Sequence, residues 1–338
     1  MIITRFWYGT LALLAAAAAP AATITVVSAD GAGEGFNSAA APPAGAGCNA
    51  GETLGQCRLR VFNTAATQWG ALLQSSVTIV VSAKMDPQEC TPTGAVLGSA
   101  GPASAFANFP NAPKPNVAYV VALANSLAGS DLNGATQEIN ATFNSDIDAA
   151  CLGNTPGWWY GTNPAVPPQN NRMPLLPVVF HEIAHGLGFS SLYRATDGAL
   201  ITGTSHPIWG YHMYDLSTSQ RWKDMTDAQR LTSSKNDPNL VWTGRLSNRW
   251  TKNFLTAGRQ GGCIRLHAPA TLVPGSSVSH WSTATTPNLL MEPSLNTTIF
   301  DKVDLTLPLF QDIGWKTGVE DRLFVDGFGA EPCPLESF

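Results

Sequence analysis

The stretch Val178-Val179-Phe180-His181-Glu182-Ile183-Ala184-His185-Gly186-Leu187-Gly188-Phe189 decides how the rest of the chain is read. It sets His-Glu-x-x-His in an apolar, helix-compatible frame. Positions four apart share a helix face, so His181 and His185 can reach one metal ion. Glu182 stands one step round the helix, where it can touch a metal-held water without being a ligand, as a general base does. Val179, Ile183 and Leu187 recur every four residues and predict a buried stripe. Charged and imidazole groups are costly in such a frame without partners or a task. Two ordinary histidines flanking a glutamate, the bland alternative, leaves that cost unexplained. Gly186 and Gly188 are expected to break the helix straight after the second histidine.

A catalytic zinc takes three protein ligands and keeps one position open. In the compact pattern His-Glu-x-x-His-x-x-Gly-x-x-His the third ligand falls three residues after the glycine. Here that position is Ser191, a poor zinc ligand, so the third must come from elsewhere. His206, His212 and His267 each read by default as loop histidines, and no strong helix with a suitable glutamate follows. Further on, Ser279-His280-Trp281 stands eleven residues before Met291, within Leu289-Leu290-Met291-Glu292-Pro293.

With these residues the chain resembles the leishmanolysin branch of the metzincin peptidases. There an insertion separates the helix glycine from a third histidine in a Ser-His-Trp context, and the methionine of the Met-turn follows about eleven residues later. Asp304 to Trp315 also resembles the C-terminal helix of that family. The resemblance is specific over residues 178–191 and 279–315; elsewhere only the order of elements agrees. It implies that His280 is the third zinc ligand, with His181 and His185, and that Met291 forms the hydrophobic floor beneath the metal. It implies an α+β fold: an N-terminal mixed sheet with helices and the zinc helix (residues 23–188), then an irregular C-terminal subdomain (189–315), with the cleft between them. It implies a zinc endopeptidase with Glu182 as base, acting on a protein or peptide laid antiparallel to the sheet's edge strand. The strand at Glu138 to Asn144 is the expected edge. Residues 244–273 leave too little room for the protease-associated domain that some bacterial secreted relatives insert there, so it is expected to be absent. Two rival classes are a non-catalytic binding or adhesion protein on the same scaffold and a zinc hydrolase of cell-wall peptides. Zinc is the one cofactor the sequence calls for; bound calcium has no signature in it, nor does an oligomeric state.

The whole chain sets the outer limits. Its 338 residues suffice for one large domain or two modest ones. Charged residues are only 13%, with 31 Gly and 24 Pro, which suits a loop-rich extracellular protein. A net charge of −5 gives no basic footprint, which excludes nucleic acid as the expected partner. Arg5, the apolar run from Phe6 to Ala18 and the small residues Ala19-Pro20-Ala21 read as a signal peptide over residues 1–22, placing the protein in the extracellular space or periplasm. The run is short for a membrane span and Pro20 interrupts it; no later segment is long and apolar enough. The catalytic part is expected to start soon after the signal, without a long propeptide.

Six cysteines in an exported chain predict three disulfides, from 15 conceivable pairings. Nearness in sequence pairs Cys48 with Cys57, in preference to either being an inhibitory thiolate. Pairing Cys90 with Cys151 and Cys263 with Cys333 is an expectation without a specific signal. In chain order, Ala22 to Ser28 reads as a strand and residues 30–56 as loop. Phe62, Ala65, Ala66, Trp69, Leu72 and Leu73 predict a helix, and Val77 to Val81 a buried strand. Residues 85–116 read as a long surface excursion, the apolar Val117 to Leu127 as helix or strand with helix preferred, and Glu138 to Asn144 as a strand. Trp158-Trp159-Tyr160 read as core aromatics. Between residues 189 and 279 only Thr226 to Ser233 predicts a helix. Asp304 to Trp315 predicts another, with Leu305, Leu309 and Ile313 on its buried face and Gly314 at its end. Residues 316–338 read as a tail.

Overall fold

A computed structural model describes residues 20–295, 303–318 and Cys333. The expected signal peptide up to residue 19 and most of the expected tail lie outside them. The chain is mixed α+β with open sheets. Its N-terminal part contains β1 (Ile24–Ser28), α1 (Leu54–Leu72), β2 (Ile79–Asp86), β3 (Gly98–Pro102), β4 (Val117–Val120), α2 (Val121–Ala128), β5 (Ile139–Asn144) and α3 (Leu175–Leu187). The main sheet has the order β1-β2-β5-β3. The first three strands are parallel, and β3 runs antiparallel to β5.

Helix α1 starts with a capping box. Thr53 accepts from the Gln56 amide, and the Gln56 side chain accepts from the Thr53 amide, so two otherwise orphaned donors are satisfied. Val61, Phe62, Ala65 and Trp69 form its buried stripe. The Trp69 indole donates to the Phe180 carbonyl at 3.1 Å and so fastens α1 to α3. Helix α3 packs against α1, β3 and β5.

Three readings need correction. The strand at Glu138 to Asn144 exists as β5, yet it lies inside the sheet; the edge is β3, within the stretch expected to be a surface excursion. Its sequence, Gly-Ser-Ala-Gly-Pro, lacks the β-branched and aromatic residues that mark strands, and an edge position tolerates Pro102. Val117 to Leu127 is half strand and half helix, with the change at Val121. The region after residue 189 is not irregular. It holds β6 (Met213–Asp215), β7 (Gln220–Arg221), α4 (Asp227–Ser233), β8 (Leu240–Trp242), α5 (Arg245–Phe254), β9 (Arg259–Gln260), β10 (Cys263–Arg265) and α6 (Thr306–Ile313), of which α4 and α6 are the two helices expected there. The strands form an antiparallel sheet in the order β7-β6-β8-β10-β9. Strands of two or three residues are too short to show a period of two.

The two parts are stitched together by long-range contacts. His206–Pro207 pairs in parallel with β4. On α6, Leu309 and Ile313 are buried, and Phe310 lies 5.2 Å from the Trp69 ring. The Trp315 indole donates to the Leu187 carbonyl at 2.8 Å, at the end of α3. Asp312 accepts from the Leu246 and Ser247 amides, capping α5 from a distant part of the chain. Three disulfides are formed, Cys48–Cys57, Cys90–Cys151 and Cys263–Cys333, as the cysteine reading expects. Such bonds belong to an oxidising compartment. Among the described residues, no helix is long and apolar enough to cross a membrane.

Helix α3 ends two residues past His185, as expected: Gly186 still lies inside it, and the break falls at Gly188, whose φ of 126° suits a residue without Cβ. Gly186 serves close approach instead. A Cβ there would lie 2.4 Å from Cγ2 of the buried Ile139 on β5. Gly186→Ala is therefore expected to cost about 1–3 kcal/mol of stability through overpacking. Urea unfolding checks this: Gly186→Ala should lower the midpoint, and adding Ile139→Ala should cost less in that background than in the wild type. A Gly186→Ala midpoint equal to wild type would contradict the packing.

Candidate metal centre

The structure brings His181, His185 and His280 together. Their Nε2 atoms form a nearly equilateral triangle, with His181 to His280 at 3.0 Å, His181 to His185 at 3.1 Å and His185 to His280 at 3.2 Å. The first two rings come from successive turns of α3; the third comes from a loop almost a hundred residues later. His185 and His280 are buried and His181 is partly exposed.

The opposite ring nitrogens define the protonation state. Nδ1 of His181 lies 2.8 Å from the Leu290 carbonyl, that of His185 2.6 Å from Phe189 and that of His280 2.7 Å from Ser276. A carbonyl oxygen can only accept, so each Nδ1 carries the hydrogen. In a neutral ring Nε2 is then bare, and three lone pairs converge. Burial keeps the rings neutral, holding His181 down to about 4, His185 to about 3 and His280 well below its ordinary value. The lone pairs repel one another unless a cation sits among them. Ligand nitrogens at about 2.0–2.1 Å in a tetrahedral set lie about 3.3 Å apart, so the triangle has the dimensions of a three-imidazole metal site. Nδ1–H bonds to carbonyls are also what orients metal-binding imidazoles.

Glu182 is buried beside this triangle. Burial pushes its carboxyl up to about 8, partly offset by the Ala100 amide of β3. A cation nearby would draw it down again. Gly98 makes the approach of β3 feasible: a Cβ there would meet Phe143 at 2.9 Å and the Glu182 Cγ at 3.2 Å. The edge strand therefore runs directly over the carboxylate. A cleft of about 900 Å³ opens here, with residues 94–100 on one wall, residues 274–280 on another, and the three histidines and Glu182 lining it.

Met291 is fully buried. The residue before it supplies the carbonyl for His181, and its own carbonyl accepts from the Trp281 amide at 2.8 Å, next to His280. Ser191, in the place of the compact third ligand, has another role. Its amide donates to the Ser279 hydroxyl at 3.1 Å, and that hydroxyl lies 3.1 Å from its own. It thus pins the segment that carries His280. The other histidines stand apart from the triangle. His206 lies 3.3 Å from the Tyr193 hydroxyl, His212 stacks on Trp242, and His267 is half-buried with its amide donating to the His280 carbonyl. Cys48, Glu52 and Cys57 also cluster, but the sulfurs are joined in a disulfide and Glu52 pairs with Arg60, so they form no ligand set. Sequence reasoning missed Leu290, Phe189, Ser276 and Ala100, because each acts through its backbone and side-chain type carries no sign of it.

Compared with known proteins, the chain matches no family model, no curated protein and no solved structure.

Metal content of two variants checks the triangle. His280→Ala should lose nearly all bound metal, since it removes one of three donors and leaves two. His267→Ala should keep wild-type stoichiometry. Full retention in His280→Ala would remove it from the site.

Proposed function

We propose that this protein is a secreted zinc-dependent endopeptidase of the leishmanolysin-like kind. The observation that carries the proposal is the convergence of three bare Nε2 atoms beside a buried glutamate, at the bottom of a cleft with a free sheet edge. An all-imidazole set with an open position suits zinc best among common metals. When bound, zinc supplies Lewis acidity, polarising a substrate carbonyl and lowering the pKa of water to about 7. His181, His185 and His280 hold it through Nε2. The Leu290, Phe189 and Ser276 carbonyls fix the ring orientations.

Glu182 does the proton work. Its carboxylate takes the proton from the water that attacks the peptide carbonyl and delivers it to the leaving nitrogen. Strand β3 aligns the substrate. One of its edges pairs with β5 and the other pairs with no strand among the described residues, so an extended peptide can add there by main-chain hydrogen bonds. The Ala100 amide belongs to the same strand, which sets the base and the substrate backbone in one frame. Buried Met291 lies in the turn that presents Leu290. Export is supported by the three disulfides and by the apolar run that starts the chain.

Hydrolysis of casein and of cell-wall peptides, with and without a chelator, tests this reading. Wild type should cleave casein and lose the activity on chelation. Glu182→Ala should lose about 10²–10⁴-fold in rate, the usual contribution of a general base, while retaining its metal. Cleavage confined to cell-wall peptides would reassign the substrate class. Equal behaviour of wild type and Glu182→Ala on every substrate would leave only a binding role.

A further inference from the structure

The His181 ring is held by a backbone carbonyl, and something must hold that carbonyl. Leu290 belongs to a short turn between Leu289 and Glu292, closed by the Glu292 carboxylate, which accepts from the Leu289 amide at 2.8 Å. The Leu290 amide points the other way and donates to Asp304 Oδ2 at 2.5 Å. The second oxygen of Asp304 accepts from the Thr306 amide at 3.1 Å and from the Thr306 hydroxyl at 3.0 Å. Asp304 thus joins the start of α6 to the turn, and both of its oxygens are used. Its backbone has φ 34°, a region that non-glycine residues rarely adopt. Such a position persists where surrounding bonds over-determine it.

From this chain of contacts we infer that Asp304 is a positioning residue for the metal centre, acting on His181 through Leu290. The inference rests on the metal-centre reading above. Leu290 is gripped at both ends, its amide by Asp304 and its carbonyl by the His181 Nδ1–H. Without the carboxylate the amide loses its partner and the turn is free to shift. The Leu290 carbonyl then leaves the plane of the His181 ring, and Nε2 swings out of the triangle. A purely structural role, the starting of α6, would act on stability and leave the ligand geometry alone. Asp312 supplies the comparison. It is a partly buried carboxylate on the same helix, pushed to the same helix-capping task, yet its partners are Trp242, Leu246 and Ser247, none of which touches a histidine of the triangle.

The test uses the full chain loaded with Zn²⁺ or Co²⁺. Metal affinity is read by chelator competition, and the Co²⁺ absorption spectrum reports ligand geometry. Asp304→Ala should bind metal about 10–100-fold more weakly, as expected for loss of an outer partner of a ligand, with an altered Co²⁺ spectrum. Asp304→Asn keeps an acceptor for the Leu290 amide and should recover most of the affinity. Asp312→Ala should lower the unfolding midpoint and leave affinity and spectrum unchanged. Should Asp304→Ala fail to fold, Asp304→Ser takes its place: the hydroxyl can still meet Thr306 but is too short to reach Leu290 as well, so the same loss is expected. Wild-type affinity and spectrum in Asp304→Ala or Asp304→Ser would overturn the inference, as would an equal loss in Asp312→Ala. A wild type that binds no metal would bring down the metal-centre reading itself, and this inference with it.

Discussion

Three imidazole nitrogens facing one another at hydrogen-bond distance, each without a hydrogen to share, form an arrangement that cannot stabilise itself. The carbonyls behind the rings fix every proton on the far side, so no tautomer relieves the crowding. Burial makes protonation unfavourable as well. Folding such a centre costs free energy unless a metal ion offsets it, and then binding free energy becomes folding free energy. The rest of the architecture works to hold that triangle at ligand spacing.

The holding is distributed along the chain. Helix α3 supplies two rings at fixed rotation, and its own ending supplies the Phe189 carbonyl for His185. The loop before residue 280 provides Ser276 for His280, and Ser191 clamps Ser279 beside it. The turn at residues 289–292 serves His181. Trp315 closes the circuit by bonding the Leu187 carbonyl at the end of α3. Because the segments are so far apart in sequence, the C-terminal sheet between them has a mechanical purpose: it returns the chain to α3. Disulfides brace the periphery of this arrangement, joining the rim segments at Cys90 and Cys151 and the far sheet to Cys333.

How much of this can be read from residues depends on whether side-chain type or backbone does the work. Helix α3 was legible because its buried stripe and its paired histidines both depend on side chains at helical spacing. Ser191 was informative because a hydroxyl stands where the compact pattern has an imidazole, and that absence directed attention to His280. The cysteine pairings agreed with nearness in sequence for Cys48 and Cys57, whereas the other two had no local sign. Strand β3 could not be seen: glycines, serine, alanine and proline make a good edge against Glu182 because they are small, and smallness looks like loop. Helix α5 was hidden for another reason, since its cap, Asp312, lies more than sixty residues away. The C-terminal sheet fell below the length at which alternation can be recognised.

The proposed function depends on the three Nε2 atoms holding a single metal ion. X-ray absorption at the zinc edge on the purified, zinc-loaded protein tests it most directly. One zinc per chain is expected, with imidazole nitrogens at about 2.0–2.1 Å and no sulfur neighbour. A sulfur shell at about 2.3 Å, or a chain that takes up no zinc, would contradict it.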